Sequence, residues 1–117
     1  MRRDIMKKLE IIIQPERLEE LKAILDSNSV NGLMISNVMG YGHQKGHKKV
    51  YRGAEYNVNL LPKVKVETVV EQEVAEKLIP VIVSEIQTGA YGDGKIFIYE
   101  VEDAVRIRTG ERGSDAL

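Results

Sequence analysis

Residues 89–95 read Gly-Ala-Tyr-Gly-Asp-Gly-Lys, in which three glycines free backbone amides and Lys95 places a mobile cation beside them. Main-chain N–H groups in such a turn can hold an anion, phosphate above all. The run lacks the spacing of a P-loop, and a Gly-Asp-Gly standing alone is also an ordinary turn. Further on, Val105-Arg106-Ile107-Arg108 alternates like a short strand. It would set two guanidinium forks side by side, which suits a polyphosphate. The same pattern on an edge strand also serves as a solvated guard against strand pairing. Lys95, Arg106 and Arg108 sit near the ends of neighbouring segments, so two or three copies of the chain could close a cleft on a nucleotide.

A second group lies in the polar stretch from Gly40 to Pro62, which separates two apolar runs. A connection of about twenty residues is far longer than the usual four to six, which points to function or disorder. Its basic side chains and its tyrosines Tyr51 and Tyr56 suit contact with phosphates, a partner protein or a modifying enzyme. His43 and His47 stand four apart among glycines and lysines, with no thiolate or carboxylate near in sequence, so zinc is not expected. Gln44 offers a carbonyl oxygen to a hard cation such as magnesium, and the amides beside it, around Lys45, can meet a carboxylate. No triad, paired-carboxylate site or nucleophile elbow is present, and a nucleotide hydrolase in this cleft would lack a positioned general base.

The elements that must position these groups follow from apolar periodicity. Residues 8–13 end in Ile11-Ile12-Ile13 and stop at Gln14-Pro15, a buried strand closed by proline. Residues 16–26 form a helix with Leu18, Leu21 and Leu25 on one face. Residues 32–39 are a second strand. Residues 61–70 are a third, with Val64, Val66 and Val70 on one side and Lys63, Lys65 and Glu67 on the other. A second helix runs from Val74 to about Gln87, with a kink expected at Pro80. Residues 94–101 form a fourth strand and residues 105–108 a short fifth one. The order β-α-β-β-α-β predicts an α+β fold, a ferredoxin-like sandwich with both helices on one face of the sheet. Residues 1–117 are read as one domain, with an exposed loop at about 42–60 and a flexible tail at about 109–117. Apolar residues of 9–13 that point away from the helices would be uncovered in a monomer, which predicts an oligomer.

Composition narrows the function. The chain has 117 residues, 43% hydrophobic, with 17 basic and 18 acidic residues and a net charge of −1, so no global field draws it to nucleic acid or an anionic membrane. One phenylalanine, five tyrosines and no tryptophan argue against a base-stacking binder of single strands. The absence of cysteine excludes a disulfide framework. With no signal-like start and no run near the roughly 18 apolar residues of a membrane span, the cytoplasm is the expected location.

Taken together, QKGH then YRGAEY in the loop, the strand LPKVKVE, the turn and strand TGAYGDGKIF and the closing RIRTGE resemble, in order and spacing, the PII nitrogen-regulatory signal-transduction proteins over nearly the whole chain from Met6. The resemblance implies a homotrimer of ferredoxin-like subunits that senses rather than catalyses, with ATP and ADP competing for clefts between subunits. It implies a nucleotide site of Gly40, Gly42, His43, Gln44, Glu67, Gly92, Asp93, Gly94 and Lys95, with Arg106 and Arg108 from the neighbouring subunit. It places 2-oxoglutarate on Gln44, Lys45, Gly46 and Lys63, and magnesium on Gln44 between the triphosphate and the 2-oxo acid. Tyr56 is the loop position that some members uridylylate. The partners implied are ammonium transporters, through which alone the protein would meet a membrane, and enzymes or regulators of glutamine metabolism, with no direct nucleic-acid contact.

Some positions depart from the commonest family pattern. His43 stands where many members have arginine, and is mostly uncharged at neutral pH. Met34 replaces a threonine that often meets the adenine, Gln14 replaces a common lysine, and Ala54 removes a serine that is phosphorylated in some photosynthetic members. The alternatives are an adenine-nucleotide sensor with no 2-oxoglutarate response, a slow ATPase using the same cleft, or a scaffold that has lost its ligands.

Overall fold

The computed structural model describes residues 5–30, 32–41, 48–51, 54–57 and 60–117, with 48–51 and 54–57 described by backbone alone. The isoleucine run does form a strand, β1 (Met6–Ile13), and Gln14-Pro15 ends it in a single 3-10 turn at Pro15–Arg17. That turn feeds α1 (Leu18–Ser27), which buries Leu21 and Leu25. The Asn28 side chain closes the helix by donating to the Ile24 carbonyl at 2.8 Å. Next come β2 (Met34–Gly40), a short antiparallel ribbon of β3 (Lys48–Tyr51) and β4 (Ala54–Asn57), and β5 (Leu61–Glu71). The ribbon pairs Lys48 with Asn57 and Tyr51 with Ala54, so the expected loop at about 42–60 contains strand structure of its own. α2 (Gln72–Ile86) follows β5 without a connecting residue, and β6 (Gly94–Val101) completes the sheet.

The four long strands lie in the order β2-β5-β1-β6, and every neighbouring pair is antiparallel. This is the ferredoxin-like arrangement that the element order predicts. Strand alternation sends Leu9, Ile11 and Ile13 of β1 and Val64, Val66 and Val70 of β5 to one face. There they meet Leu21 and Leu25 of α1 and Ala75, Leu78, Ile82 and Ile86 of α2 in one buried cluster. α2 continues through Pro80, which is exposed on the outer side of the helix. The missing N–H therefore costs one hydrogen bond without breaking the element.

The opposite face carries charged pairs beside apolar side chains. Leu9, Ile11 and Ile13 are all buried under the helices, so of the 9–13 run only Glu10 and Ile12 point away from the core. Lys8 pairs with Glu67 at 2.6 Å, Lys65 lies 3.7 Å from both Glu10 and Glu67, and the Tyr99 hydroxyl donates to Glu10 at 2.6 Å. Met34 and Phe97, opposite Glu67 and Glu10 in the register, are exposed on this same face.

One expectation at the C-terminal end is corrected. Residues 105–108 are not a strand, since Val105 makes one isolated bridge to Arg112 and residues 107–109 turn. The cause is Thr109-Gly110: Gly110 takes φ 75° and donates to the Arg106 carbonyl at 2.7 Å, and Arg106 N–H bonds the Glu111 carbonyl at 2.9 Å. The residues that follow fold back on residues 103–106. It ends in a 3-10 turn at Gly113–Ala116.

Gly94 starts β6 with φ +120°, and a Cβ there would lie 2.0 Å from the Ile12 carbonyl oxygen. Only glycine fits where β6 crosses so close to β1. Gly94→Ala is expected to cost about 3 kcal/mol in denaturant unfolding. Gly32→Ala, with nothing within 4 Å of the added methyl, should stay within about 0.5 kcal/mol of the native protein.

Candidate ligand site at the glycine turn

The turn between α2 and β6 is held from inside by one carboxylate. Asp93 accepts from the Thr88 N–H at 2.7 Å, the Thr88 hydroxyl at 2.6 Å and the Gly89 N–H at 2.9 Å. The Thr88 hydroxyl in turn accepts from Ala90 N–H at 3.3 Å. Gly89 and Gly92 take φ 85° and 92°, values that let the chain reverse around this carboxylate. The Asp93 side chain is therefore committed to shaping the turn, and what residues 92–94 present outward is main chain. A carboxylate facing a phosphate would repel it, so this inward orientation suits an anion site.

Two further elements dock on the turn at a single atom. Lys63, near the start of β5, donates from Nζ to the Gly92 carbonyl at 3.1 Å, and Gln14, at the end of β1, donates from Nε2 to the same oxygen at 3.1 Å. Lys63 is 9% exposed, unusually low for a lysine, and the bond to a carbonyl offsets part of that burial. Room for its stem comes from Gly40 at the end of β2, where a Cβ would come within 2.9 Å of the Lys63 Cγ. Gly40, Lys63, Gly92 and Gln14 thus meet at one end of the sheet. Gly40 is also the base of the long loop.

The other candidate cations differ in their freedom. The side chains of Lys95 and Arg108 are exposed and make no hydrogen bond or ion pair among the described residues. Arg106 is engaged by its own chain, through Nη1 to Glu111 at 3.1 Å and Nη2 to the Leu117 carbonyl oxygen at 2.9 Å. Since residues 105–108 are not a strand, Arg106 and Arg108 do not share a strand face. Glu67 lies on the open face beside Lys8 and Lys65, and no contact joins it to the glycine turn among the described residues. Met34 is its direct neighbour across β2 and β5. Gly42, His43, Gln44, Lys45, Gly46 and His47 lie outside the described residues. Tyr56 falls on β4, paired with Lys49, and its side chain is likewise outside the description.

Sequence reasoning missed two of these parts. Thr88 is recognisable in retrospect, because a hydroxyl followed five residues later by an aspartate between glycines is a local capping pattern. Gln14 carried no signal of contact with the turn, since 78 residues separate it from Gly92.

The hydrogen bond from Thr88, chiefly, holds the Asp93 carboxyl below its ordinary value. Its folded pKa lies below its unfolded one, so its contribution is complete above about pH 4 and is lost as pH falls through the folded value. The Thr88 and Gly89 amide resonances should stay constant from neutral pH to about pH 4 and move only below it. In Asp93→Asn that low-pH transition should disappear from both resonances.

Among the described residues no group of three or more His, Cys, Asp or Glu side chains could hold a metal ion. No helix among them is long and apolar enough to cross a membrane. Comparison with known proteins agrees with the fold and the motif order. The family profile described as nitrogen regulatory protein P-II matches residues 6–111. The P-II protein of Rhodospirillum rubrum is 52% identical over 112 residues, covering 96% of this chain and all of that protein. That of Haemophilus influenzae is 50% identical over the same length and shares. Among solved structures, B. subtilis GlnK superposes with a TM-score of 0.79 at 39% identity, covering 97% of this chain and 99% of that one. A B. subtilis GlnK–ATP complex gives 0.78 at 38% identity, covering 97% and 98%. Arabidopsis thaliana PII bound to citrate gives 0.77 at 33% identity, covering 97% and 94%. With a profile match over most of its length and relatives half identical along nearly all of it, this chain belongs to the nitrogen regulatory protein P-II family.

Proposed function

We propose that this chain acts as a trimeric sensor of ATP, ADP and 2-oxoglutarate that regulates nitrogen assimilation through its long loop. The observation that carries this reading is the contact between Lys63 and the Gly92 carbonyl. It joins the lysine suited to a dicarboxylate to the glycine turn suited to phosphates. The GlnK–ATP complex and the citrate-bound plant PII support the two ligand classes, a nucleotide and a polycarboxylate, on closely similar folds.

In this reading the main chain of Gly92, Asp93 and Gly94 with the side chain of Lys95 takes the phosphates from one subunit. Arg106 and Arg108 approach them from the next. Gly40, Gly42, His43 and Glu67 line the cleft, with Glu67 reaching it from the open sheet face. That face, charged at Lys8, Glu10, Lys65 and Glu67 and apolar at Met34 and Phe97, suits burial against other copies of the chain. Magnesium fits the donor chemistry only as a guest of the ligands. The described residues supply no carboxylate cage, so the ion would take oxygens from the phosphates and the 2-oxo acid and one protein oxygen from Gln44.

2-Oxoglutarate would bring its distal carboxylate to Lys63 and its 2-oxo acid end to Gln44, Lys45 and Gly46. A hydrogen bond from a charged group contributes about 1.5–3 kcal/mol. A carboxylate offers Lys63 a charge-assisted hydrogen bond, stronger than the one it makes to the neutral Gly92 carbonyl. Ligands shift the loop by binding one of its conformations better than the others. ADP leaves the loop free to engage a partner such as an ammonium transporter or a regulator of glutamine metabolism, and Mg-ATP with 2-oxoglutarate withdraws it. Tyr56 is the residue proposed for uridylylation where a modifying enzyme exists. The relatives are named regulatory proteins, which supports reading the role as regulatory rather than catalytic, with the cytoplasm as the site of action.

Calorimetric titration tests the reading. 2-Oxoglutarate should bind only when Mg-ATP is present, and Gln44→Ala or Lys63→Ala should abolish that second binding event while nucleotide still binds. Nucleotide binding with no 2-oxoglutarate response in the native protein would reduce the function to adenylate sensing.

A further inference from the structure

The C-terminal segment is built onto Arg106 in a way that a merely disordered tail would not be. Both terminal nitrogens of the guanidinium are engaged by it, Nη1 by the Glu111 carboxylate at 3.1 Å and Nη2 by the Leu117 carbonyl oxygen at 2.9 Å. Glu111 is itself oriented, since its carboxylate oxygen that meets Arg106 also accepts from the Thr109 hydroxyl at 2.8 Å. The segment is clasped a second time by Arg112, which donates to Asp103 from Nη2 at 2.6 Å and from Nε at 2.8 Å. Gly113 N–H closes on Asp103 Oδ1 at 3.1 Å and on the Ala104 carbonyl at 3.0 Å. Arg108, two residues from Arg106 and equally basic, is exposed and makes no such contact among the described residues.

We infer that residues 111–117 act as an intramolecular competitor for phosphate at Arg106, an autoinhibitory contact that nucleotide must displace; this rests on the proposed role of Arg106 in holding the phosphates. The chemistry of the two occupants is the same. A guanidinium fork binds a carboxylate and a phosphate through the same terminal N–H groups, so Glu111 and a nucleotide phosphate cannot both hold them in full. The contact is exposed, and exposed ion pairs are weak, so the segment tunes affinity rather than blocking the site. Linkage requires the converse as well: phosphate on Arg106 releases the Glu111 side chain and loosens the segment that it anchors. Loop and tail would then report nucleotide at two separate places on the chain.

The test is Mg-ATP calorimetry at low salt on the native protein, Glu111→Gln, Arg106→Ala and the double variant, with hydrogen exchange of the Gly110 and Gly113 amides. Glu111→Gln should tighten binding about two- to five-fold, the range an exposed ion pair provides. The gain should vanish when Arg106 is already alanine. Saturating Mg-ATP should speed exchange at Gly110 and Gly113 in the native protein. Unchanged or weakened binding by Glu111→Gln, or a gain that persists without Arg106, overturns the competition. If Arg106→Ala alone leaves affinity unchanged, the assignment of Arg106 to the phosphates falls, and the competition falls with it. If Arg106→Ala weakens binding and Glu111→Gln does not tighten it, only the competition is lost.

Discussion

The Gly92 carbonyl is the atom on which the candidate site depends. Lys63 and Gln14 reach it from β5 and β1 and fasten the glycine turn to that end of the sheet. For Lys63 to arrive, Gly40 must lack a side chain, and for the turn to present Gly92, Asp93 must gather Thr88 and Gly89 behind it. Gly94 then has to cross over Ile12 with no Cβ. Four positions separated in sequence are thereby set by one local geometry. The base of the loop and the glycine turn share a lysine, a physical route by which a change at one would alter the other.

The two faces of the sheet obey different constraints. Under the helices, aliphatic side chains from β1, β5, α1 and α2 form a single buried cluster, whose packing fixes the register of the strands. On the other face, charged side chains of β1 and β5 pair across the ladder, and Tyr99 of β6 donates to Glu10. The hydrogen bond to Glu67 raises Lys8, and the bond from Lys8 lowers Glu67. The bond to Glu10 holds Tyr99 as a phenol by raising its pKa. In a monomer these pairs face solvent and contribute little to stability. Covered by other copies, they become a self-satisfied polar layer, in which removing one partner strands the other.

Most of the fold was legible in the sequence because strand and helix periodicities are long and strong here. The isoleucine run, the Val-Lys alternation of β5 and the final strand at residues 94–101 all occupy the predicted places, to within a residue or two. The failure at Val105-Arg106-Ile107-Arg108 has a definite cause. Four alternating residues are too few to distinguish a strand from the approach to a turn, and Thr109-Gly110 decided the matter by reversing the chain. The contacts of the tail, Arg112 with Asp103 and Arg106 with Glu111, are specific pairs that composition does not reveal. The glycine turn was legible as a turn between α2 and β6, from its three glycines. The roles of Gln14 and of Asp93 as a brace were not, because long-range convergence on one carbonyl and an inward carboxylate leave no periodic trace.

The central claim, that Lys63 is shared between the glycine turn and a dicarboxylate ligand, is tested most directly by a structure of the protein with Mg-ATP and 2-oxoglutarate bound. The account predicts that the Lys63 Nζ leaves the Gly92 carbonyl, now 3.1 Å away, for a ligand carboxylate, while the main chain of residues 92–94 meets the phosphates. A ligand-bound structure in which Lys63 stays on Gly92 and the dicarboxylate sits elsewhere would contradict it.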